Sequence, residues 1–585
     1  MTQIRKIAIV GVGPRGGYSL EQIIYELAKQ RGLTKLHISL FEATEHVGNG
    51  PVYNLQQNSS NWINITERVL ELPARNTLDT HEFSIPAFPS YLDWIGKDFN
   101  TLPKDTIDTF PPRSDIGKYL SERFLSLSEP LIKSGVVSLY KEQAEEIHLL
   151  QSDKVQVISN NKAYHEFDEL LLTIGHQITE LDQQILEWDK FAKDKGHLHL
   201  FQSAYPTNTY LQLESLDKDS TIAIRGFGLA MIDVVRAIAC KFGKFTVENE
   251  RRRQCLYHID EGNSITIIPF SLDGLPPAPK PLNAKIDAWF EPTRDALDKF
   301  EKHIADKQVQ EEADSPNFLI AAFAPIAANI YCNLSNSYKQ RDNSEQEIEL
   351  LIIQWLKDQS IEHVLFSSLK QPTKSIMNQL VGMAIGVDKI SLDYCIGQVW
   401  RHCQPRIYRA LSFNACSDKV IAEIIKLDES TKRYSFGPPV ESIQQLLALQ
   451  KVGFLNLNMV NDPDIQLTSD GWKLSSYRNS ATAMIMIDSV VDSAKLKSVD
   501  SSLVKGMLDD GLMDIVHDDF GVRTDEHAFL FSKNETKKLP IALLGRLAKG
   551  TIIGVDAILE CFGSRPRKWA NQAVKNHINW LEKSV

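Results

Sequence analysis

The start of the chain constrains its fold more than any other stretch. Residues 5–10, Arg-Lys-Ile-Ala-Ile-Val, are a short run rich in β-branched residues and read as a buried strand. Gly11-Val-Gly13-Pro14-Arg15-Gly16 follows at once, and Tyr18 to Leu33 continues with helical periodicity. His37–Phe41 is a second strand that ends on Glu42. A G-x-G-x-x-G pattern alone is a weak signal. Set between a strand and a helix, with an acid closing the next strand, it reads as a dinucleotide-binding turn. The first glycine permits the tight turn, the second lets the backbone approach a pyrophosphate, and the third lets helix and strand pack closely. Amides at the helix N-terminus then face the anion. Glu42 is the candidate acid for ribose hydroxyls.

A second turn of the same kind begins after the strand Thr221–Arg225, as Gly226-Phe-Gly228-Leu-Ala-Met231-Ile-Asp233, and a helix runs on from Val234 to Phe242. Met231 replaces the third glycine, so a looser helix–strand approach is expected here. Asp233 lies in the first turns of that helix. Lys241, Lys244 and Arg251–Arg253 follow and are candidates to pair with a 2′-phosphate. Ser264–Pro269 reads as a further strand. The pattern is mainly helical from about 284 to 465, Ala481–Asp488 returns to sheet, and Gly550 to Ala557 is expected to start a last helix. The expected class is therefore α/β, with two Rossmann-like dinucleotide-binding units and a mainly helical insertion. The division is 1–215 (with an excursion over 48–120), 216–283, 284–470, and 471–585 returning to the first unit.

Composition narrows the functional classes. A net charge of −11 argues against a nucleic-acid scaffold, which needs a basic face for phosphates. No run of about 18 apolar residues is present, so no membrane span is expected. The short, glycine-broken apolar start does not read as a signal peptide, and a cytoplasmic protein is expected. The seven cysteines are scattered and never spaced C-x-x-C, which disfavours a redox dithiol and a metal site.

Together these pieces resemble the bacterial FAD/NAD(P)-binding family whose first motif reads G-x-G-P-R-G, relatives of the flavin-dependent N-hydroxylating monooxygenases. Pro112-Arg113-x-x-x-Gly117-x-Tyr119 looks like that family's P-R-x-x-x-G-x-Y segment, and Thr173-Ile-Gly175-His176 like its A-T-G-H turn. Gly226–Asp233 is similar to G-L-G-L-T-A-x-D, Ser271-Leu272-Asp-Gly-Leu-Pro276 to S-R-x-G-L-P, and Phe436–Pro439 to an F-G-P-P turn. The resemblance implies that Gly11, Gly13, Pro14, Arg15, Gly16 and Glu42 hold the ADP part of FAD. It also implies that Arg113, Gly175 and His176 lie near the flavin, and that Gly226, Gly228 and Asp233 serve NADPH or NADH. Leu272 stands where the family usually has arginine.

The implied activity is that of an NAD(P)H-using flavin monooxygenase acting on a small amine or amino-acid-like substrate. A flavin reductase or dehydrogenase without oxygen insertion is the alternative enzyme, and a non-catalytic flavin-binding protein the alternative class. The cofactor carries such chemistry, so no catalytic side chain is assigned.

Overall fold

The computed structural model describes every residue except 1–2, 31–34, 81–82, 165, 369, 492–494, 534–536 and 584–585. The chain opens with strand β1 (Arg5–Val10), helix α1 (Pro14–Lys29) and strand β2 (Leu36–Phe41). α1 begins four residues earlier than its periodicity suggests, because Pro14 at its first position is already fixed at a helical φ. It ends at Lys29, and residues 31–33 of the expected helix lie outside the described residues. After the excursion come α2 (Arg113–Lys133), β3 (Val137–Tyr140) and β4 (Glu169–Leu172). β1 and β4 are apolar on both faces and almost wholly buried, the pattern of inner strands in a parallel sheet covered on both sides.

The second unit contributes β5 (His199–Phe201), β6 (Thr221–Arg225) and α3 (Leu229–Phe242). Strands β7 (Gly243–Asn249) and β8 (Gln254–Ile259) then form an antiparallel hairpin off the far end of α3, before β9 (Thr266–Phe270) returns to pair with β6. The following region is helical. It includes α4 (Asn317–Asn333), α5 (Leu392–Leu411) and α6 (Asp418–Ser435), packed around the buried Phe323, Trp400 and Tyr434. The last elements are β10 (Ile485–Asp488), β11 (Phe529–Phe531), β12 (Lys538–Leu543) and α7 (Ser564–Lys583).

Two parallel sheets organise these elements. The first runs β11-β12-β4-β1-β2-β3, with only the edge pair β11–β12 antiparallel. The second runs β5-β10-β6-β9, all parallel. The stretch expected as one return to sheet therefore splits. Asn479–Ala483 is the outer strand of a separate three-stranded antiparallel sheet, and β10 enters the second sheet rather than the first. All four residues of β10 are buried, as an inner parallel strand requires. β11, β12 and α7 are what return to the first unit, with Trp569 of α7 enclosed in its core.

The expected helix start at Gly550–Ala557 is corrected as well. Gly550 has φ +115°, and a Cβ on Gly554 would lie 2.2 Å from the Tyr408 ring, so this stretch is a tight loop pressed on α5. A short helix at Ile558–Cys561 and then α7 follow it.

Candidate nucleotide-binding site

The three glycines of the first turn do different work. Gly11 sits at φ +88°, and a Cβ there would lie 2.6 Å from the Thr173 carbonyl oxygen. Its N–H donates to the Phe41 carbonyl at 2.8 Å, which pins the turn to the end of β2. A Cβ on Gly16 would lie 2.1 Å from the Gly11 carbonyl oxygen. These two are required by the protein's own packing. Gly13 is not. Its φ of −75° suits any residue, and the nearest atom to an added Cβ is the Gly50 Cα at 3.7 Å, an ordinary contact. Gly13 caps α1 without a side-chain hydrogen bond. The first-turn amides of Arg15 and Gly16 therefore gain no side-chain acceptor from their cap, at the positive end of a helix dipole.

The space left bare in front of Gly13 is a cavity of about 720 Å³. It is lined by the segments leaving five neighbouring strands: 544–546 after β12, 173–178 after β4, 10–15 after β1, 41–44 after β2 and 142–144 after β3. Five strands at the usual spacing extend about 19 Å. The slot thus runs along the carboxyl edge of the sheet with the glycine turn at its middle, where the chain passes from β1 to β2 on one side and from β3 back to β4 on the other. That is where open parallel sheets bind ligands.

Glu42 is fixed in this slot before any ligand arrives. Its Oε2 accepts from the Val12 N–H at 2.6 Å, and its Oε1 accepts from the Thr44 N–H and hydroxyl at 2.9 and 2.7 Å. Gly175 and His176 line the same cavity on its exposed side, and Pro14 and Arg15 line it beside the turn. Arg15 Nη2 also donates to the Val555 carbonyl at 3.2 Å.

The far end of the slot comes from residues that the sequence did not single out. Arg546 and Asp556 both line the cavity, and Arg546 Nη1 donates to Asp556 Oδ1 at 3.0 Å. Burial pushes the Asp556 carboxyl up, but Arg546, Lys432 and Lys549 outweigh it and hold the group below the usual carboxylate range. Burial lowers the Arg565 guanidinium to about 10, and its Nη2 donates to the Gly554 carbonyl. No motif marks these positions, which lie more than 500 residues from the glycine turn. Only the return of β12 to the sheet brings them there.

The second turn repeats the division of labour. Gly226 has φ +109°, a Cβ on it would lie 2.5 Å from Ser489 Oγ, and its N–H donates to the Phe270 carbonyl at 2.8 Å. Gly228 caps α3 in an ordinary extended conformation, and an added Cβ would meet no atom within 4 Å. Met231 is fully buried in the core of the second unit. Asp233 and Arg113 do not line the first cavity. They meet at the junction of the two units, where Asp233 Oδ2 accepts from the Tyr205 hydroxyl at 2.5 Å and from Arg113 Nη2 at 3.4 Å. One turn further along α3, the Arg236 guanidinium lies 3.6 Å from the Trp62 ring centroid. Asp233 is thus a buried tether between units, and burial raises its carboxyl. Two of the basic residues are engaged away from the turn: Lys241, in the last turn of α3, donates to the Leu211 carbonyl at 2.7 Å, and Arg253 pairs with Glu441.

Residues 8–177 match a family model described as FAD-NAD(P)-binding. The described residues matched are those that build the glycine turn, Glu42 and the Gly175-His176 turn. The uncharacterised protein YdhS of Escherichia coli K12 is 23% identical over 285 residues, covering 47% of this chain. The match spans 46% of that protein, about half its length.

Among solved structures, the chain is similar to the FAD-bound form of OTEMO, with a TM-score of 0.45 and 11% identity over 99% of this chain and 85% of that one. Ornithine hydroxylase (PvdA) from Pseudomonas aeruginosa gives 0.44 and 12% over 98% and 99%. L-lysine 6-monooxygenase from Pseudomonas syringae gives 0.44 and 14% over 99% of both chains. Among the described residues, no group of three or more His, Cys, Asp or Glu could hold a metal ion, and no helix is long and apolar enough to cross a membrane.

Proposed function

We propose that the chain is an FAD-dependent, NAD(P)H-using oxidoreductase, a flavin monooxygenase acting on a small amine or amino-acid-like substrate. The observation that carries the FAD assignment is Gly13. It is bare at the centre of a slot five strands long although neither its backbone nor its neighbours need a glycine there. The matched FAD-NAD(P)-binding family model over residues 8–177 supports the same reading.

Bound FAD would accept hydride from a reduced nicotinamide and support oxygen transfer to a nucleophilic substrate. The chain's own residues hold and orient it. The Arg15 and Gly16 amides face the diphosphate, Glu42 accepts from ribose hydroxyls, and Arg546 with Asp556 engages the remaining polar part. Asp233, bound by Arg113 and Tyr205, keeps the nicotinamide-nucleotide unit at a fixed distance from the flavin unit. The cavity lining includes a single cysteine, Cys561, so the slot offers no dithiol to relay electrons. This favours direct use of oxygen or of an organic acceptor over disulfide reduction.

The test is the purified protein's visible spectrum, followed by NADH and NADPH consumption against a panel of amino acids and polyamines. Consumption stimulated by a panel member, with oxygen uptake and a hydroxylated product, is the expected result. Bleaching by NAD(P)H with no stimulation and no product would leave a reductase. Gly228→Val separates the two units. Because an added Cβ there meets no atom within 4 Å, the variant should keep its yellow colour and its melting temperature. Its rate of flavin reduction by NAD(P)H should fall at least about 100-fold, as blocked backbone approach to a phosphate implies. Stopped-flow absorbance at the flavin band reads this directly, and reduction at the normal rate would remove the nicotinamide assignment.

A further inference from the structure

The two glycine turns can be laid over one another atom for atom at their first hydrogen bond. Gly11 donates to Phe41, the last residue of β2, and Gly226 donates to Phe270, the last residue of β9, both at 2.8 Å. Ser271 therefore occupies the place of Glu42, with Leu272 and Asp273 after it. In a unit of this geometry, the end of the second strand is where an adenosine's 2′ position is read. A carboxylate there takes the free hydroxyl, and an arginine takes a 2′-phosphate. The β7–β8 hairpin lies between α3 and β9, so this position falls far beyond the usual spacing from the glycines.

What stands there is uncharged or acidic. The Ser271 hydroxyl accepts from the Gly274 N–H at 3.0 Å. Leu272 is 87% exposed and offers no donor. Asp273 Oδ1 accepts from the Leu275 N–H at 3.0 Å, and its Oδ2 is paired with Arg433.

Two arginines at this end of the sheet are already paired. Arg433 is held by Asp273, and Arg225, at the end of β6, is shared between Asp488 at 2.8 Å and Asp182 at 2.6 Å. The arginine run 251–253 sits between β7 and β8, beyond the C-terminal end of α3. A helix of 14 residues puts that end about 21 Å from the Gly228 cap.

We infer that the second unit discriminates against a 2′-phosphate and takes NADH over NADPH, and that Leu272 and Asp273 decide this. The inference rests on the proposal above that this unit holds a nicotinamide nucleotide. A 2′-phosphate would bring nearly two negative charges beside Asp273, where Arg433 and Arg225 are already held by carboxylates. The 2′-hydroxyl of NADH brings no charge and can donate to the Ser271 or Asp273 oxygens.

The experiment titrates the FAD-loaded protein with ADP and with 2′,5′-ADP by calorimetry, and compares NADH with NADPH in flavin reduction. ADP should bind about tenfold or more tightly than 2′,5′-ADP, and NADH should have the higher kcat/KM, as a phosphate without a partner cation of its own implies. Leu272→Arg, at an exposed position that cannot disturb the core, should raise the affinity for 2′,5′-ADP by about tenfold and leave that for ADP nearly unchanged. Tighter binding of 2′,5′-ADP by the unaltered protein, or an unaltered ratio in Leu272→Arg, would overturn the inference and leave the nucleotide assignment standing. If neither ADP nor 2′,5′-ADP binds and neither NADH nor NADPH reduces the flavin, the assignment and the inference fall together.

Discussion

Gly13→Val should give a folded protein without colour. The substitution is informative because the protein itself has room for it. The backbone at Gly13 is at φ −75° and ψ −162°, an extended conformation that valine adopts readily, and the atom nearest an added Cβ is the Gly50 Cα at 3.7 Å. Replacing a glycine N-cap by an aliphatic residue costs at most about 1 kcal/mol, so the apoprotein should melt within a few degrees of the parent apoprotein. The two methyl groups, however, point into the slot over the first-turn amides, where a diphosphate must approach the main chain. Flavin affinity should fall at least about 100-fold, or ~2.7 kcal/mol. The ratio of flavin to protein absorbance after gel filtration, with circular dichroism to confirm folding, reads both halves of this expectation. A folded variant that retained one FAD per chain would show that the diphosphate does not lie against Gly13.

The second large effect is one of stability, at the back of the same helix. Glu21 of α1 is 4% exposed, and both of its oxygens are spoken for. Its Oε1 accepts from Arg123 Nη2 at 2.6 Å, and its Oε2 accepts from Arg123 Nε at 3.0 Å and Arg75 Nη1 at 3.2 Å. Arg123 lies on α2 and Arg75 in the excursion, so one carboxylate ties three parts of the first unit. Both guanidinium side chains are nearly inaccessible, at 5% and 2%. Glu21→Ala would leave two buried cations facing each other without their anion. Breaking such a pair costs roughly 3–5 kcal/mol, because the remaining charge stays desolvated. The flavin-release transition on heating or in urea should therefore move sharply lower, whereas Glu21→Gln, which can still accept hydrogen bonds, should lose less. A midpoint unchanged in Glu21→Ala would mean that the two arginines find other acceptors. Arg75 already reaches the Pro86 carbonyl and the Ser126 hydroxyl, and Arg123 the Tyr119 hydroxyl.

Asp233 shows where sequence reasoning had to stop. The family resemblance implies a nucleotide contact for it. The same resemblance implies a place near the flavin for Arg113. The structure pairs the two at a junction between units, with Tyr205 completing the contact. Nothing local could reveal that meeting, since Arg113 and Asp233 are 120 residues apart. Arg546 and Asp556 carry no local signal for the same reason.

The sequence by itself determined the two glycine turns, the strands that lead into them, the acid at the end of β2 and the helical character of the middle region. These follow from local rules: β-branched runs make buried strands, proline and glycine fix the first turn of a helix, and apolar periodicity sets its faces. Tertiary structure alone decided which sheet each late strand joins, which residues close the far end of the slot, and that Ser271 rather than a residue closer to Gly228 answers to Glu42. Those outcomes depend on contacts between segments hundreds of residues apart. Their free energy comes from burying one element against another, and no short window of the chain records that.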